Sequence, residues 1–263
     1  MKCFSLILSV GITACSLTDL RQDLTAPISN GPVQDPRAQE IIDSVLNSYG
    51  GRQKWESVKR TSLTYSDAWP GIMFRLGGPW IPNTQQVQHS FWNGTFDSEM
   101  KLLNGPEEGL TWKYYQGDAF KIIAGRQIAT PDNDVEFYLP TYQYFVEFPY
   151  RLTEIPILKY GGDTTFKQLN YHLIFGTWQT VAPNEKFDQY VIWVNKETFF
   201  IDYLSYTIRD KGKALSGTMN YSDFRDIDGI TIPFDQLITF LPHDGVVVHH
   251  IKVESASLEF RHD

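Results

Sequence analysis

Residues 221–240 read YSDFRDIDGITIPFDQLITF, and this stretch decides the fold class. Asp228-Gly229 stands between two runs rich in strand-forming residues, and Asp-Gly favours the type I′ turn because both central residues need positive φ. After the turn, alternate apolar positions share one face of a strand: Ile230, Ile232, Phe234, Ile238 and Phe240. The pattern predicts a β-hairpin with one buried face and one solvent-exposed face, as an antiparallel sheet permits.

The same kind of turn recurs along the chain. Six further turn signals separate short runs rich in Val, Ile, Thr and aromatic residues: Asn93-Gly94, Asn104-Gly105, Gly117-Asp118, Asn195-Lys196-Glu197, Asp210 to Lys213, and Asp244-Gly245. Turns at this spacing predict an antiparallel meander rather than a βαβ fold. With 263 residues, of which 42% are hydrophobic, the chain is long enough to bury a sizeable core.

Two segments depart from the strand pattern. Asp35 can cap a helix with Pro36 in its first turn, apolar residues follow at helical spacing, and Gly50-Gly51 ends it. Residues 134–152, DVEFYLPTYQYFVEFPYRL, are aromatic all round and contain Pro140 and Pro149. We interpret them as one or two short helices between the two halves of the sheet. Such a segment either fills the mouth of the curved sheet or acts as a mobile lid over a ligand groove.

The N-terminus predicts export and lipidation. Residues 1–14, MKCFSLILSVGITA, have a basic start and an apolar run too short to span a bilayer, as in a signal peptide. The following Cys15 completes Ile-Thr-Ala-Cys, which resembles a bacterial lipobox. We therefore expect cleavage before Cys15 and acylation of Cys15, with residues 15–35 as a flexible tether and 36–263 as a single domain. The alternatives are an ordinary secretory signal cut after Ala14 and a cytosolic protein with an apolar start.

The order of these elements resembles the LolA-like superfamily, which comprises periplasmic lipoprotein carriers and related lipoproteins. Three segments are also similar to the DUF6503-type lipoprotein family of Bacteroidetes: residues 38–55 (AQEIIDSVLNSYGGRQKW), 190–198 (YVIWVNKET) and 221–233 (YSDFRDIDGITIP). The resemblance implies a mostly β (α+β) fold: a strongly curved, half-open antiparallel β-barrel with an N-terminal helix and an inserted helical segment. It also implies an outer-membrane lipoprotein facing the periplasm, and Ser16 after the lipidated cysteine fits that location.

The sequence contains none of the common catalytic motifs. It lacks the nucleophile elbow, the zinc-protease helix and the glycine-rich phosphate and dinucleotide loops. Both cysteines, Cys3 and Cys15, lie in the first fifteen residues, so the body of the chain has no thiol chemistry. His249 and His250 are adjacent on a predicted strand and therefore point to opposite faces. We expect no metal site and no cofactor, and the formal charge of −8 argues against nucleic acid as a partner.

Aromatic residues are the remaining indication of function. Those we expect to face the inside of the curved sheet or the helical segment, and so to line an apolar groove, are Trp112, Tyr114, Tyr142, Phe145, Phe175, Trp178, Trp193 and Phe234. The sequence thus predicts a lipid-anchored envelope protein that binds a lipid or another hydrophobic molecule without catalysis. The alternatives are an envelope hydrolase with an unrecognised site, and a structural or interaction lipoprotein whose aromatic residues simply fill the core.

Overall fold

The computed structural model describes residues 17–28, 35–129, 133–240 and 245–261, so the predicted signal peptide and Cys15 lie outside the described residues. Within these ranges the strands form one antiparallel sheet of thirteen. The strands are β1 (Val58–Ala68), β2 (Thr84–Trp92), β3 (Ser98–Leu102), β4 (Thr111–Tyr115), β5 (Asp118–Ile123), β6 (Arg126–Ala129), β7 (Ile157–Phe166), β8 (Leu169–Thr177), β9 (Gln189–Asn195), β10 (Ile201–Thr207), β11 (Ser216–Ile227), β12 (Ile230–Phe240) and β13 (Val246–Phe260).

The strand order leaves the sheet open at one place. Strands adjacent in sequence pair with each other throughout each half, and β1 pairs with β13 at the centre of the sheet. The two free edges are therefore β6 and β7, which are consecutive in the chain. The 19-residue helix between them in the chain contacts β3, β4 and β5. The fold is the predicted half-open antiparallel barrel with few helices.

The predicted turns explain most of the connections. Asp228 and Gly229 have φ of 52° and 81°, and the Asp226 carboxylate accepts a hydrogen bond from the backbone N–H of Gly229 at 2.9 Å. Two further hairpins turn at Ala124-Gly125 and at Lys167-Gln168, all with positive φ. The Lys167-Gln168 turn contains neither Gly nor Asn nor Asp, so it carries no sequence signal. Asp244 of the last predicted turn lies outside the described residues.

The described α-helices are α1 (Pro36–Ser48), α2 (Arg52–Ser57), α3 (Ile72–Arg75) and α4 (Asn133–Arg151). The Asp35 side chain caps α1 as predicted, accepting from the backbone N–H of Arg37 at 2.9 Å. The segment predicted as one or two short helices is a single helix, α4, with Pro140 and Pro149 inside it. Each proline removes one backbone donor. Burial of the apolar residues of α4 against β3, β4 and β5 keeps the helix continuous despite these losses.

The sheet buries both faces on its β7–β10 side. The inner face packs against α1 and α4. The outer face carries a second cluster, which residues 17–28 cover; we call them the N-terminal strap. Leu20 of the strap is buried there, and its N–H donates to Gln189 Oε1 at 2.9 Å. This part of the predicted flexible tether is therefore docked and is not a free coil, because its apolar residues complete a core.

The strap also covers the edge strand β7. The backbone N–H groups of Thr25 and Ala26 both donate to the Gly161 carbonyl, at 3.0 and 2.9 Å. Beyond the strap, the Asp35 carboxylate accepts from the backbone N–H of Tyr160 at 3.2 Å. An uncovered edge strand is a template for pairing with another chain. The strap thus protects this edge of the sheet.

Replacing Gly162 by alanine is expected to detach the strap. Gly162 has φ of 101°, and a Cβ at this position would lie 2.2 Å from Thr25 Oγ1 and 2.8 Å from the Ala26 nitrogen. We expect a loss of about 1–3 kcal/mol in the free energy of unfolding, from backbone strain and lost strap contacts. Urea unfolding measures the loss, and limited proteolysis measures exposure of the strap.

Gly117→Ala is the matched control for this substitution. Gly117 also has positive φ, 91°, but nothing lies within 4 Å of its added Cβ. Gly117→Ala should lower the free energy of unfolding through backbone strain, but the strap should stay protected from protease. If the strap is equally protected from protease in Gly162→Ala and Gly117→Ala, the close contact of Gly162 with Thr25 and Ala26 is not needed to hold the strap on the sheet.

Candidate functional site

A large cavity lies on the side of α4 that faces away from β3–β5. Its volume is about 760 Å³, which falls within the usual range for ligand sites of about 300–1,000 Å³. The walls are α4, the segment between β1 and β2, and the ends of β9 to β13. Where α1 and α4 meet, their apolar side chains belong to the buried core.

Aromatic and aliphatic side chains dominate the lining of the cavity. They include Trp69, Phe74, Tyr142, Phe145, Trp178 and Val248. Val248 is the extra residue of a β-bulge, because Ile238 pairs with His249 whereas Thr239 pairs with Val247. Bulges often occur beside binding sites, where they redirect a side chain. The apolar walls can bury a hydrocarbon chain.

Three large hydrophobic residues that line the cavity are exposed, and two of them lie at one end of the sheet; the third, Phe96, is 37% exposed and lies in the β2–β3 connection. Met73 lines the cavity and is 77% exposed, and Leu215 lines it and is 36% exposed. Met73 lies between β1 and β2, and Leu215 lies between β10 and β11. Antiparallel pairing puts both of these connections at the same end of the sheet, opposite the Lys167-Gln168 turn. We call this end the cavity end.

A buried carboxylate organises the polar part of the wall. Asp67 is fully buried and accepts four hydrogen bonds, from Trp69 Nε1 (2.9 Å), Trp80 Nε1 (2.7 Å), the Tyr142 hydroxyl (2.6 Å) and His249 Nδ1 (2.8 Å). Burial alone would raise the pKa of Asp67, but its interaction with His249 and the hydrogen bonds outweigh burial and lower that pKa. The carboxylate is therefore ionised and can only accept, so His249 Nδ1 carries a proton.

His249 is the polar group that this network presents to the cavity. Its ring stacks on Trp69 with centroids 4.4 Å apart, and Asp67 fixes its orientation through Nδ1. Nε2 lies on the opposite edge of the ring from this bond. His250, the next residue, bonds instead to Asp235 at 2.8 Å. The two histidines thus have separate partners, consistent with the prediction that they point to opposite faces.

The eight aromatic residues predicted as a lining do not all meet in one place. Tyr142, Phe145 and Trp178 line the cavity. Trp112 does not line the cavity; its ring stacks on that of Trp80, with ring centroids 5.0 Å apart. The remaining four lie elsewhere: Tyr114 and Phe234 in the inner core, and Phe175 and Trp193 in the outer cluster under the strap. Contact of any of the eight with a ligand stays a prediction.

Sequence reasoning missed the most organised residues of the site. Asp67 occupies an inward position of β1, and its role depends on Trp80 and His249, which are distant in the chain. Alternation along β1 could have placed Asp67 inside, where a carboxylate needs partners. Nothing in the sequence identifies those partners.

A second, smaller cavity of about 210 Å³ has a different character. It lies at the α1 end and is lined by charged residues, including Glu147 and Arg151, which form a buried ion pair at 2.6 Å. Burial raises the pKa of Glu147 to about 7, although Arg151 opposes the shift. This cavity is smaller than the usual range for ligand sites of about 300–1,000 Å³.

Two general features complete the description. Within the described ranges, no group of three or more His, Cys, Asp or Glu side chains is placed to hold a metal ion. Among the described helices, none has the length and apolar character needed to cross a bilayer.

Comparison with known proteins identifies the fold. No protein-family model and no curated protein sequence match the chain significantly. Solved structures do match, among them three that each match over 86% of this chain. They are a LolA superfamily protein from Nitrosomonas europaea (13% identity, 95% of that chain, TM-score 0.53), a domain described as an outer membrane lipoprotein-sorting protein from Vibrio parahaemolyticus (10%, 95%, 0.53) and a DUF1329 family protein from Desulfovibrio piger (13%, 94%, 0.52).

The chain therefore has a LolA-like fold, as the sequence predicts. Identities of 10–13% establish the fold alone. The finer resemblance to the DUF6503-type family stays a prediction.

Proposed function

We propose that this LolA-like chain is a lipid-anchored envelope protein whose half-barrel binds a lipid or similar hydrophobic molecule without catalysis. The single observation that carries the proposal is the cavity of about 760 Å³ with its largely apolar lining. A core filled throughout would have favoured a structural role instead. The fold shared with a LolA superfamily protein supports an envelope location.

The cavity fits an amphipathic ligand. Its aromatic walls would bury the hydrocarbon part, since each buried CH₂ group contributes about 0.8 kcal/mol. His249 Nε2 would hydrogen-bond to a polar group of the ligand, because Asp67 already fixes the other ring nitrogen. The charged residues of the lining include both signs: Lys186, Lys211, Glu136, Asp188 and Asp210. They therefore do not favour one sign of headgroup. Polar groups placed within a mostly apolar lining are typical of ligand sites.

Native mass spectrometry of the mature protein tests binding directly. We expect co-purified lipid, and saturable binding of a fluorescent fatty-acid probe after delipidation. A competing fatty acid should displace the probe, whereas a short-chain carboxylate of equal charge should not. A protein that carries no lipid and binds no probe would contradict the proposed function.

Replacing Cys15 by alanine is expected to abolish acylation and lipoprotein-type processing. The lipobox-like Ile12-Thr13-Ala14-Cys15 motivates this expectation, and stable anchoring needs more than one acyl chain. Mass spectrometry of the N-terminal peptide checks acylation, and membrane fractionation under alkaline wash checks attachment. Cys3→Ala, which changes the other cysteine within the leader, is the control. A wild-type N-terminal peptide that carries no added acyl mass would contradict lipidation at this residue.

A second candidate function is hydrolysis inside the cavity. The observation that favours it is the Asp67–His249 pair, since an aspartate that orients a histidine is two-thirds of a hydrolytic triad. The hydrogen bonds of the described residues give His249 no Ser or Thr partner that would be the nucleophile. Turnover of a chromogenic fatty-acid ester that is lost in His249→Phe would favour this candidate. Probe binding without turnover favours the binding role.

A further inference from the structure

The N-terminal strap joins the cavity end within a few residues of Cys15. The backbone N–H of Thr18 donates to the Lys213 carbonyl at 3.1 Å, and Arg209 Nη2 donates to the Thr18 carbonyl at 2.5 Å. Arg209 Nη1 also donates to the Lys213 carbonyl at 2.6 Å. Thr18 is therefore fixed at the β10–β11 connection of the cavity end. Cys15 precedes Thr18 by only three positions in the sequence.

The connection between β1 and β2 forms an exposed apolar lip at the same end. We define the lip as residues 71–78, which include α3. Ile72, Met73 and Leu76 in the lip are 65%, 77% and 80% exposed. An exposed cluster of large aliphatic side chains indicates an interaction surface.

The lip is held in place from the inside. Phe74 points inward and contacts Phe240 with ring centroids 6.2 Å apart. The Gly77 carbonyl accepts a hydrogen bond from the Tyr138 hydroxyl of α4 at 3.1 Å. These contacts fix the backbone of the lip while its aliphatic side chains face outward. Met73, Phe74 and Gly77 also line the cavity, so the lip forms part of its mouth.

We propose that the lip is a membrane-docking surface, inserted into the leaflet in which the acyl chains of Cys15 are anchored, so that the cavity opens onto that leaflet. The inference rests on the proposed function for the anchor and the ligand. The occupant is a lipid surface because Thr18, which follows the proposed acylation site Cys15 by three positions in the sequence, is bonded at the end that carries the lip. A long tether would permit any orientation, whereas a docked strap restricts it.

Docking in this orientation gives the cavity a direct supply of ligand. A lipid could pass between the leaflet and the cavity across the lip without exposing its hydrocarbon chain to water. The exposed residues of the lip would sit at the boundary of headgroups and acyl chains, about 5–10 Å deep. The opposite end of the sheet, with the Lys167-Gln168 turn, would point away from the membrane.

Fluorescent labelling of the full, acylated protein tests the orientation. The body of the chain has no cysteine, so Met73→Cys and Leu169→Cys each introduce one labelling site there. Leu169 is also an exposed aliphatic residue, but it lies at the opposite end of the sheet. The labelled proteins are reconstituted into vesicles of phosphatidylethanolamine and phosphatidylglycerol, with or without a lipid-borne quencher. We expect a blue shift and quenching at position 73 and neither at position 169.

Three outcomes would overturn the proposal. They are no quenching at position 73, equal quenching at both positions, or a blue shift at position 73 that appears without vesicles as protein concentration rises. The last would show that a second copy covers the lip. Acylation is followed separately by the mass of the Cys15 peptide, and ligand binding by the soluble probe. These two measurements distinguish a protein that is not acylated, or that binds no ligand, from one whose lip does not insert into the membrane.

A charged lip gives an independent readout. Met73→Glu should slow the uptake of a fluorescent lipid from vesicles by about ten-fold, because a carboxylate opposes insertion into the apolar region. Leu169→Glu is the matched control and should leave uptake unchanged. Melting temperatures check that both variants fold. Unchanged uptake in Met73→Glu would overturn the proposal, and so would an equal loss in both variants.

Discussion

Replacing Asp67 by alanine is expected to lower the free energy of unfolding by about 3–5 kcal/mol, the usual cost of breaking a buried charged network. The substitution removes the acceptor of four hydrogen bonds: those from Trp69, Trp80, Tyr142 and His249. All four donors are buried, and an unsatisfied buried donor costs about 1–3 kcal/mol. Urea unfolding followed by far-ultraviolet circular dichroism measures the loss.

The outer face of the same sheet supplies the matched control. Asp235 bonds to His250 Nε2 at 2.8 Å, but its side chain is 31% exposed and solvent screens the pair. Asp235→Ala is therefore expected to cost no more than about 1 kcal/mol. Similar losses in Asp67→Ala and Asp235→Ala would show that burial of the Asp67 network does not stabilise the fold.

Acid should destabilise the protein through the same carboxylate. The pKa of Asp67 in the folded protein lies below its ordinary value of 3.8. A lowered pKa means that the carboxylate's stabilising contribution is fully present above the pKa of the unfolded chain. It is lost as the pH falls through the lower, folded-state pKa. The groups that face Asp67 are His249, the Tyr142 hydroxyl and two indole N–H groups. Asp67→Ala should therefore flatten the acid limb of the stability curve.

Filling the cavity is expected to abolish ligand binding without unfolding the protein. Val248 is half-buried at the bulge and lines the cavity. In Val248→Trp, the indole would occupy space that an acyl chain needs. We expect at least about a ten-fold loss of affinity for the fluorescent fatty-acid probe, which is about 1.4 kcal/mol of binding free energy. The melting temperature should change little, because the ring enters a cavity rather than a packed core.

Val246→Trp is the control within the same strand. Val246 is 66% exposed and does not line the cavity, so the same substitution adds the same ring outside it. Probe affinity should stay at the wild-type value. Equal affinities of Val248→Trp and Val246→Trp would show that the probe binds elsewhere on the protein.

Local rules were sufficient to predict much of the fold. The cap at Asp35, the apolar face of α1 and the Asp228-Gly229 hairpin all depend on residues a few positions apart. The Lys167-Gln168 turn was missed because its positive φ angles are imposed by the pairing of β7 with β8. The continuity of α4 was missed because Pro140 ends helices unless packing on a sheet outweighs the lost hydrogen bond.

The site was less predictable than the fold for a related reason. An aromatic residue on a curved sheet can contact α4 or face the cavity from the inner face, or lie under the strap on the outer face, and alternation does not show which of these applies. Phe175 and Trp193 pack under the strap because Leu20 docks there, whereas Trp178 reaches the cavity. The position of the cavity depends on which half of the sheet α4 covers. That choice is a tertiary property, and no single segment encodes it.

The pairing of β1 with β13 has a consequence for how the chain folds. Thr64 pairs with Ser255, so the central contact of the sheet joins residues from opposite ends of the sequence. Such pairing has high contact order, and proteins of this topology fold slowly. During the proposed export, β1 would have one unpaired edge until β13 has crossed the membrane. An intermediate of this kind would be most vulnerable to aggregation just before β13 arrives.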